Sequence, residues 1–271
     1  MLRRAFRTLV VLLGALILTS CAVTPEPTAD VRAQLAPSGS LRAAINLGNS
    51  VLAQKDSVTG ALQGVSVDLA RELGRRLDVP VEFVIFDAAG KVFAALKTGG
   101  WDVAFLAVDP ERAQGIDFSA SYVVIEGTYL VAADSPLRSI GEVDRPGIRV
   151  AVGNKSAYDL YLTRTMKQAQ LVRVPTSPEA LEVFAKERLE VAAGVKQLLV
   201  EFARTHPGLR VMDGHFMTIE QAVATPKGRA QGARYLRRFV EEMKASGFVA
   251  AALSRSGQRD AAVAPAAGFE Q

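Results

Sequence analysis

Residues 148–193 read IRVAVGNKSAYDLYLTRTMKQAQLVRVPTSPEALEVFAKERLEVAA, and their hydrophobic rhythm changes four times. Ile148–Val152 and Gln170–Val174 are short β-branched runs that predict strands, and Val191–Ala193 begins a third. Ser156–Lys167 and Ser177–Lys186 carry helical spacing, the second with Ser177 as N-cap and Pro178 in its first turn. Strand, helix, strand, helix, strand in this order implies a mostly parallel sheet with helices on both faces.

Upstream the same grammar has already run once. Leu41–Leu47, Val81–Phe86 and Trp101–Leu106 predict strands, and Val65, Leu69, Leu73 and Leu77 repeat every four residues along one helix face. Val92, Phe93 and Leu96 give a second helix before Gly99-Gly100. VFAALKTGGWDVA at 92–104 and ALEVFAKERLEVA at 180–192 echo each other as helix, turn, acidic residue, strand. The restart and the echo together predict an α/β protein of two similar lobes.

The last third starts no third lobe. Leu209–Met212 and Gln221–Ala224 predict short strands, Pro226-Lys227-Gly228 a turn, and Tyr235, Phe239 and Met243 the core face of a closing amphipathic helix. That helix is expected back on the first lobe. The expected division is therefore 41–131 with 225–256 for lobe 1 and 132–224 for lobe 2. Two crossings, near Leu130–Ala133 and Gln221–Thr225, would form a two-strand hinge over a central cleft.

The ends carry different information. Arg3, Arg4 and Arg7 precede an apolar run from Leu9 to Leu18 that, at about ten residues, matches a secretion signal. It is too short to span a bilayer, which takes about twenty apolar residues. Leu18-Thr19-Ser20-Cys21 resembles a lipobox, which implies a signal peptide over 1–20 cut before Cys21 and a lipid anchor on its sulfur. Residues 21–40, with three prolines, are expected as a flexible stalk, and 257–271 as a disordered tail.

Cys21 is the sole cysteine, so lipidation leaves no thiol for a disulfide, a metal or a nucleophile. The formal charge of +4 rests on 32 basic and 28 acidic residues. Removing the signal takes three basic residues and leaves a nearly neutral body, so charge gives no reason to expect a nucleic-acid partner. Gly153-Asn154-Lys155-Ser156 is not a phosphate loop, because Asn154 stands before the lysine where that motif needs glycine. No metal or cofactor is expected.

Four stretches in order resemble the polar amino-acid receptors, family 3, among the solute-binding proteins of ABC importers. They are TGALQGVSVDLA at 59–70, GWDVA at 100–104, DPERAQGIDFSASY at 109–122 and VAVGNKS at 150–156. The resemblance covers about residues 41–256 and implies a two-lobed, periplasmic-binding-protein-like clamshell of the type II class. Its partners would be a small solute, an amino acid or related carboxylate, and an ABC permease. A monomer in the periplasm or at the cell surface, lipid-anchored through Cys21, is the expected form.

The resemblance also implies site residues. Arg112 would grip a ligand carboxylate with its guanidinium fork, which keeps its charge when desolvated. Ser156 and Ala157 open a helix where hydroxyl and backbone N–H groups would receive an anion, although an ordinary N-cap looks the same in sequence. Three departures stand against a plain amino-acid site. Ala89 occupies the place of a stacking aromatic, Phe105 and Ala107 the place of a small polar residue, and Val195 the place of the acid that binds the ligand ammonium. With Lys196 beside Val195, a small carboxylate or other non-cationic solute is expected in preference to ordinary free amino acids, and Asp109 is the alternative source of an anion. Two other functions stay open on the sequence: an enzyme on the same fold, similar to cyclohexadienyl dehydratases, and a receptor that signals to a partner protein. His206 and His215 both read as surface residues rather than catalytic ones.

Overall fold

The computed structural model describes residues 26–268, so the signal segment and Cys21 lie outside the described residues. The chain opens with helix α1 (Ala29–Leu35), capped by Thr28, whose hydroxyl accepts from Val31 N at 3.3 Å. Strand β1 (Leu41–Asn46) follows, then the small hairpin β2 (Gln54–Lys55) and β3 (Leu62–Gln63). Helix α2 (Val65–Leu77) buries Val65, Leu69, Leu73 and Leu77, as their four-residue spacing requires, and stops at Asp78 in the left-handed region. Strand β4 (Val81–Phe86), helix α3 (Ala89–Ala95) and strand β5 (Val103–Ala107) complete the first repeat.

A 17-residue strand β6 (Ile116–Ala132) leads into the second repeat: β7 (Arg149–Gly153), α4 (Ala157–Thr165), β8 (Gln170–Val174), α5 (Ser177–Glu187) and β9 (Val191–Val195). The cap of α5 is Thr176, not Ser177 as expected. Its hydroxyl accepts from Glu179 N while Glu179 returns a bond to Thr176 N, closing a capping box that Ser177 would have shifted by one residue. Helix α6 (Lys196–Thr205) and strands β10 (Leu209–Val211) and β11 (Met217–Pro226) lead to α7 (Ala230–Ala245), α8 (Phe248–Arg255) and β12 (Ala262–Val263).

The strands form one hydrogen-bonded path, β4-β1-β5-β11-β6-β9-β7-β8, where a separate sheet for each lobe was expected. The reason is β6. It pairs antiparallel with β11 between Ile116 and Gly127 and then with β9 between Gly127 and Leu130, so its ladder never breaks between lobes. Within each lobe the repeat strands are parallel: β1 with β4 and β5, β7 with β8 and β9.

Core membership locates the crossings. Ile125 belongs to the first lobe's core and Tyr129, Leu130 and Val131 to the cores of the second. On the return, Met212 is in the second lobe and Ile219 and Val223 are in the first. Both crossings therefore lie some residues before the expected Leu130–Ala133 and Gln221–Thr225. At Gly127 a Cβ would stand 2.8 Å from Met217 Cγ, so glycine permits the two crossing strands to approach. The face of α7 carrying Tyr235, Leu236, Phe239 and Met243 shares a core with Leu41 and Leu73.

Both ends of the body depart from expectation where described. Ala29–Leu35 is a helix, not flexible stalk: Val31 and Leu35 are buried, and Leu35 sits where a Cβ on Gly232 of α7 would meet it at 2.7 Å. The expected disordered tail is ordered through 268. Ala262 and Val263 add to the edge of β6, Ala261 and Ala264 are buried, and Lys244 Nζ donates to the Pro265 carbonyl at 2.8 Å.

Candidate functional site

Where the lobes meet, the C-terminal ends of β1 and β5 face the start of α4 and the end of β9 across a cavity of about 40 Å³. That is room for about three waters. Arg112, Ala107, Ser156, Ala157 and Val195 all line it. So do Ala89 and Phe105, whose apolar character was the reason to doubt an ordinary amino-acid site.

Arg112 begins a short 3-10 turn that Asp109 sets up, its Oδ1 accepting from Glu111 N at 2.8 Å and its carbonyl from Ala113 N at 2.9 Å. The guanidinium is 1% exposed. Nη1 donates to the Ala107 carbonyl at 3.0 Å, Nη2 to the Lys155 carbonyl at 2.9 Å, and Nε has no partner among the described residues. Burial pulls its pKa down to about 10, with the charges of Asp109 and Glu111 acting in the opposite direction. A buried cation with an unpaired N–H and only carbonyl partners is costly, and an anion would offset that cost.

Asp109 lies off the cavity. Its carboxylate is spent on Arg164 of the second lobe at 2.8 Å and on the turn that places Arg112. A parallel inter-lobe pair joins Glu111 to Lys155 at 3.1 Å. Ser156 caps α4, its Oγ accepting from Asp159 N at 3.1 Å, and Ala157 is the first helical residue. Val195 ends β9 with its side chain buried, whereas Lys196 turns away to Glu126 at 2.6 Å. Lys196 is thus no part of the cavity wall.

Sequence reasoning missed Asn46, Asn49, Tyr158, Ser177 and Gln221, all of which line the cavity. Asn46 and Asn49 had a usable signal, since both follow the C-terminal end of a parallel strand, where clefts of α/β sheets lie. Gln221 reads as one polar residue in a strand and Tyr158 as one aromatic in a helix, so neither stood out. His206 stacks on Phe202 with ring centres 3.8 Å apart, and His215 lies 3.3 Å from Glu126; neither lines the cavity.

The pattern of the bacterial extracellular solute-binding proteins, family 3, matches residues 52–257. The chain belongs to that family. It is an extracellular solute receptor of the kind that delivers its ligand to an ABC importer. Solved structures share this receptor's fold. The solute receptor for L-cysteine of Neisseria gonorrhoeae superposes with TM-score 0.73 at 22% identity, over 83% of this chain and 92% of that one. A mutant of ArgBP from T. maritima gives TM-score 0.72 at 20% identity, over 84% and 99%. An ancestral amino acid-binding protein, a precursor of cyclohexadienyl dehydratase, gives 0.68 at 23%, over 81% and 95%. No described helix of the solute-binding protein is long and apolar enough to cross a membrane.

Proposed function

We propose that this solute-binding protein closes on a small carboxylate held by Arg112 and hands it to its importer without chemical change. The observation that carries the reading is the buried guanidinium, whose Nε has no partner among the described residues and which lines the cavity between the lobes. A carboxylate there would take fork-shaped hydrogen bonds from a group already stripped of water. No Asp, Glu or His lines the cavity among the described residues, and the Tyr158 hydroxyl that does is bonded to Ser177. That composition favours a receptor over a dehydratase on the same fold. The ligand named for one related receptor, L-cysteine, supports a solute from the class of amino acids and related carboxylates. The protein acts as a monomer.

A thermal-shift screen of small carboxylates with a turnover assay on every hit tests this. A ligand that binds the native state raises its melting temperature by mass action. Stabilisation with the ligand recovered unchanged supports the receptor; product formation supports the enzyme.

Attachment to the membrane through lipid on Cys21 is part of the same proposal and rests on the lipobox-like Leu18–Cys21. Cys21→Ser should remove the mature protein from the detergent-extractable membrane fraction. A mature variant that still fractionates with membranes would disprove the anchor.

A further inference from the structure

We infer that the cleft is built to donate hydrogen bonds, and that it selects a short 2-oxo or 2-hydroxy carboxylate over the amino acid of the same skeleton. This rests on the reading that Arg112 holds the ligand's carboxylate.

Two amides of the wall are turned by the backbone so that they present donors. Asn46 Oδ1 accepts from Gly48 N at 3.0 Å and Asn49 Oδ1 from Val51 N at 3.2 Å. Each side chain is thereby turned so that its amide NH₂ is the end left over, and no described residue accepts from either one. Ser177 Oγ accepts from the Tyr158 hydroxyl at 2.7 Å, which leaves its own hydrogen to give. The Ala107 carbonyl at the wall is taken by Arg112 itself. Gln221 is the exception, with an amide that can present either end.

No carboxylate offsets this bias. No Asp or Glu lines the cavity among the described residues, and four acids near it are paired with cations: Asp109 with Arg164, Glu111 with Lys155, Asp159 with Arg173 at 2.9 Å and Glu126 with Lys196. An α-ammonium enclosed here would meet a guanidinium, amide hydrogens and only neutral oxygens, those of Gln221 and the hydroxyls of Ser156, Tyr158 and Ser177, with no anion to replace its lost hydration. A keto or hydroxyl oxygen at the same carbon would instead accept what Asn46 and Asn49 offer. Leu52, Phe105, Val195, Leu198 and Ile219 form the apolar remainder of the wall, and the cavity's size limits the carbon chain to a few atoms.

The test is calorimetric titration of the full chain with matched sets: pyruvate, L-lactate and L-alanine, then the four- and five-carbon homologues. The oxo or hydroxy acid of at least one set should bind at least about tenfold tighter than its amino acid, because selectivity against the latter comes from its unpaired charge. Arg112→Ala should abolish that binding. Val195→Asp supplies the missing anion at a position where aspartate is a favourable helix cap, and it should move the preference toward the amino acid. If an amino acid binds as tightly as its oxo partner, with the same dependence on Arg112, this inference is wrong and the carboxylate reading stands. If no member of any set binds, the carboxylate reading fails and this inference fails with it.

Discussion

Arg112 of the first lobe donates from Nη2 to the carbonyl oxygen of Lys155 in the second, at 2.9 Å. Lys155 is held in the left-handed region, at φ 56, where residues with side chains are uncommon. Its own N–H is anchored by Asp159 Oδ2 at 2.7 Å, so the strained turn aims a carbonyl at the guanidinium. The proposed ligand-binding residue is thereby also a contact that closes the cleft, and occupancy and closure are linked through one side chain.

Closure depends on a second close approach at the same turn. A Cβ on Gly90 would stand 2.8 Å from Lys155 Cβ and 2.9 Å from the Asn154 carbonyl oxygen. Gly90→Ala should therefore hold the lobes apart. Overpacking of about 1–3 kcal/mol corresponds to about a 5- to 150-fold loss of ligand affinity. The melting temperature of the free protein should hardly change, because the open form relieves the clash. Calorimetry together with the radius of gyration in X-ray scattering checks this; full affinity with full compaction would refute it.

Asp102 holds the first lobe together and takes no part in binding. Its fully buried carboxylate accepts from Arg42 Nε and Nη2, both at 2.9 Å, and from Arg229 Nη1 at 3.2 Å, tying β1 to the turn before α7. Removing one partner of a buried pair costs about 3–5 kcal/mol, and here the lower end applies, since both arginines can reach water once released. Asp102→Ala should lower unfolding stability by about 3 kcal/mol in denaturant titrations and leave affinity intact.

Glu72 supplies a pH-dependent contribution. Hydrogen bonds from Arg75 hold its carboxyl below the ordinary glutamate value of 4.5, aided by Arg76 and opposed by burial. A depressed carboxyl contributes stability above its unfolded pKa and loses it as pH falls through the folded value. Arg76 also pairs with Glu242, so the cluster links α2 to α7. Glu72→Gln should cost about 1 kcal/mol at neutral pH. The gap from the wild type should close as the pH is lowered from 5 to about 3, and urea titrations at several pH values would show it. A gap that stays constant with pH would contradict the assignment.

Local pattern was enough for much of the fold. Val81–Phe86 and Gln170–Val174 are strands with the expected ends, because dense β-branched runs between turn residues leave little choice. The strand β6 was missed as a whole. Apolar and polar residues alternate over Ile116–Tyr122, but the apolar run Val123–Ile125 and then Glu126-Gly127-Thr128 break the pattern where the strand passes from one lobe to the other and changes neighbours. Helix α1 was hidden by the prolines before it, although Thr28 with Val31 and Leu35 carried the cap and spacing of a short helix. At the cleft, Arg112 stood out through its motif. Gln221 joins it by tertiary approach alone, and the donor character of Asn46 and Asn49 depends on backbone bonds that no sequence pattern displays.

The most direct test of the account is the affinity of the wild type and of Arg112→Ala for a small carboxylate, measured by calorimetry. Truncating one member of a buried charge pair costs about 2–5 kcal/mol, and about 1.4 kcal/mol is a factor of ten. The variant should bind at least about thirtyfold more weakly. Its melting temperature without ligand should be close to that of the wild type, because the deletion also removes a desolvated cation. Equal affinity in the two proteins would place the carboxylate elsewhere and contradict the central role of Arg112.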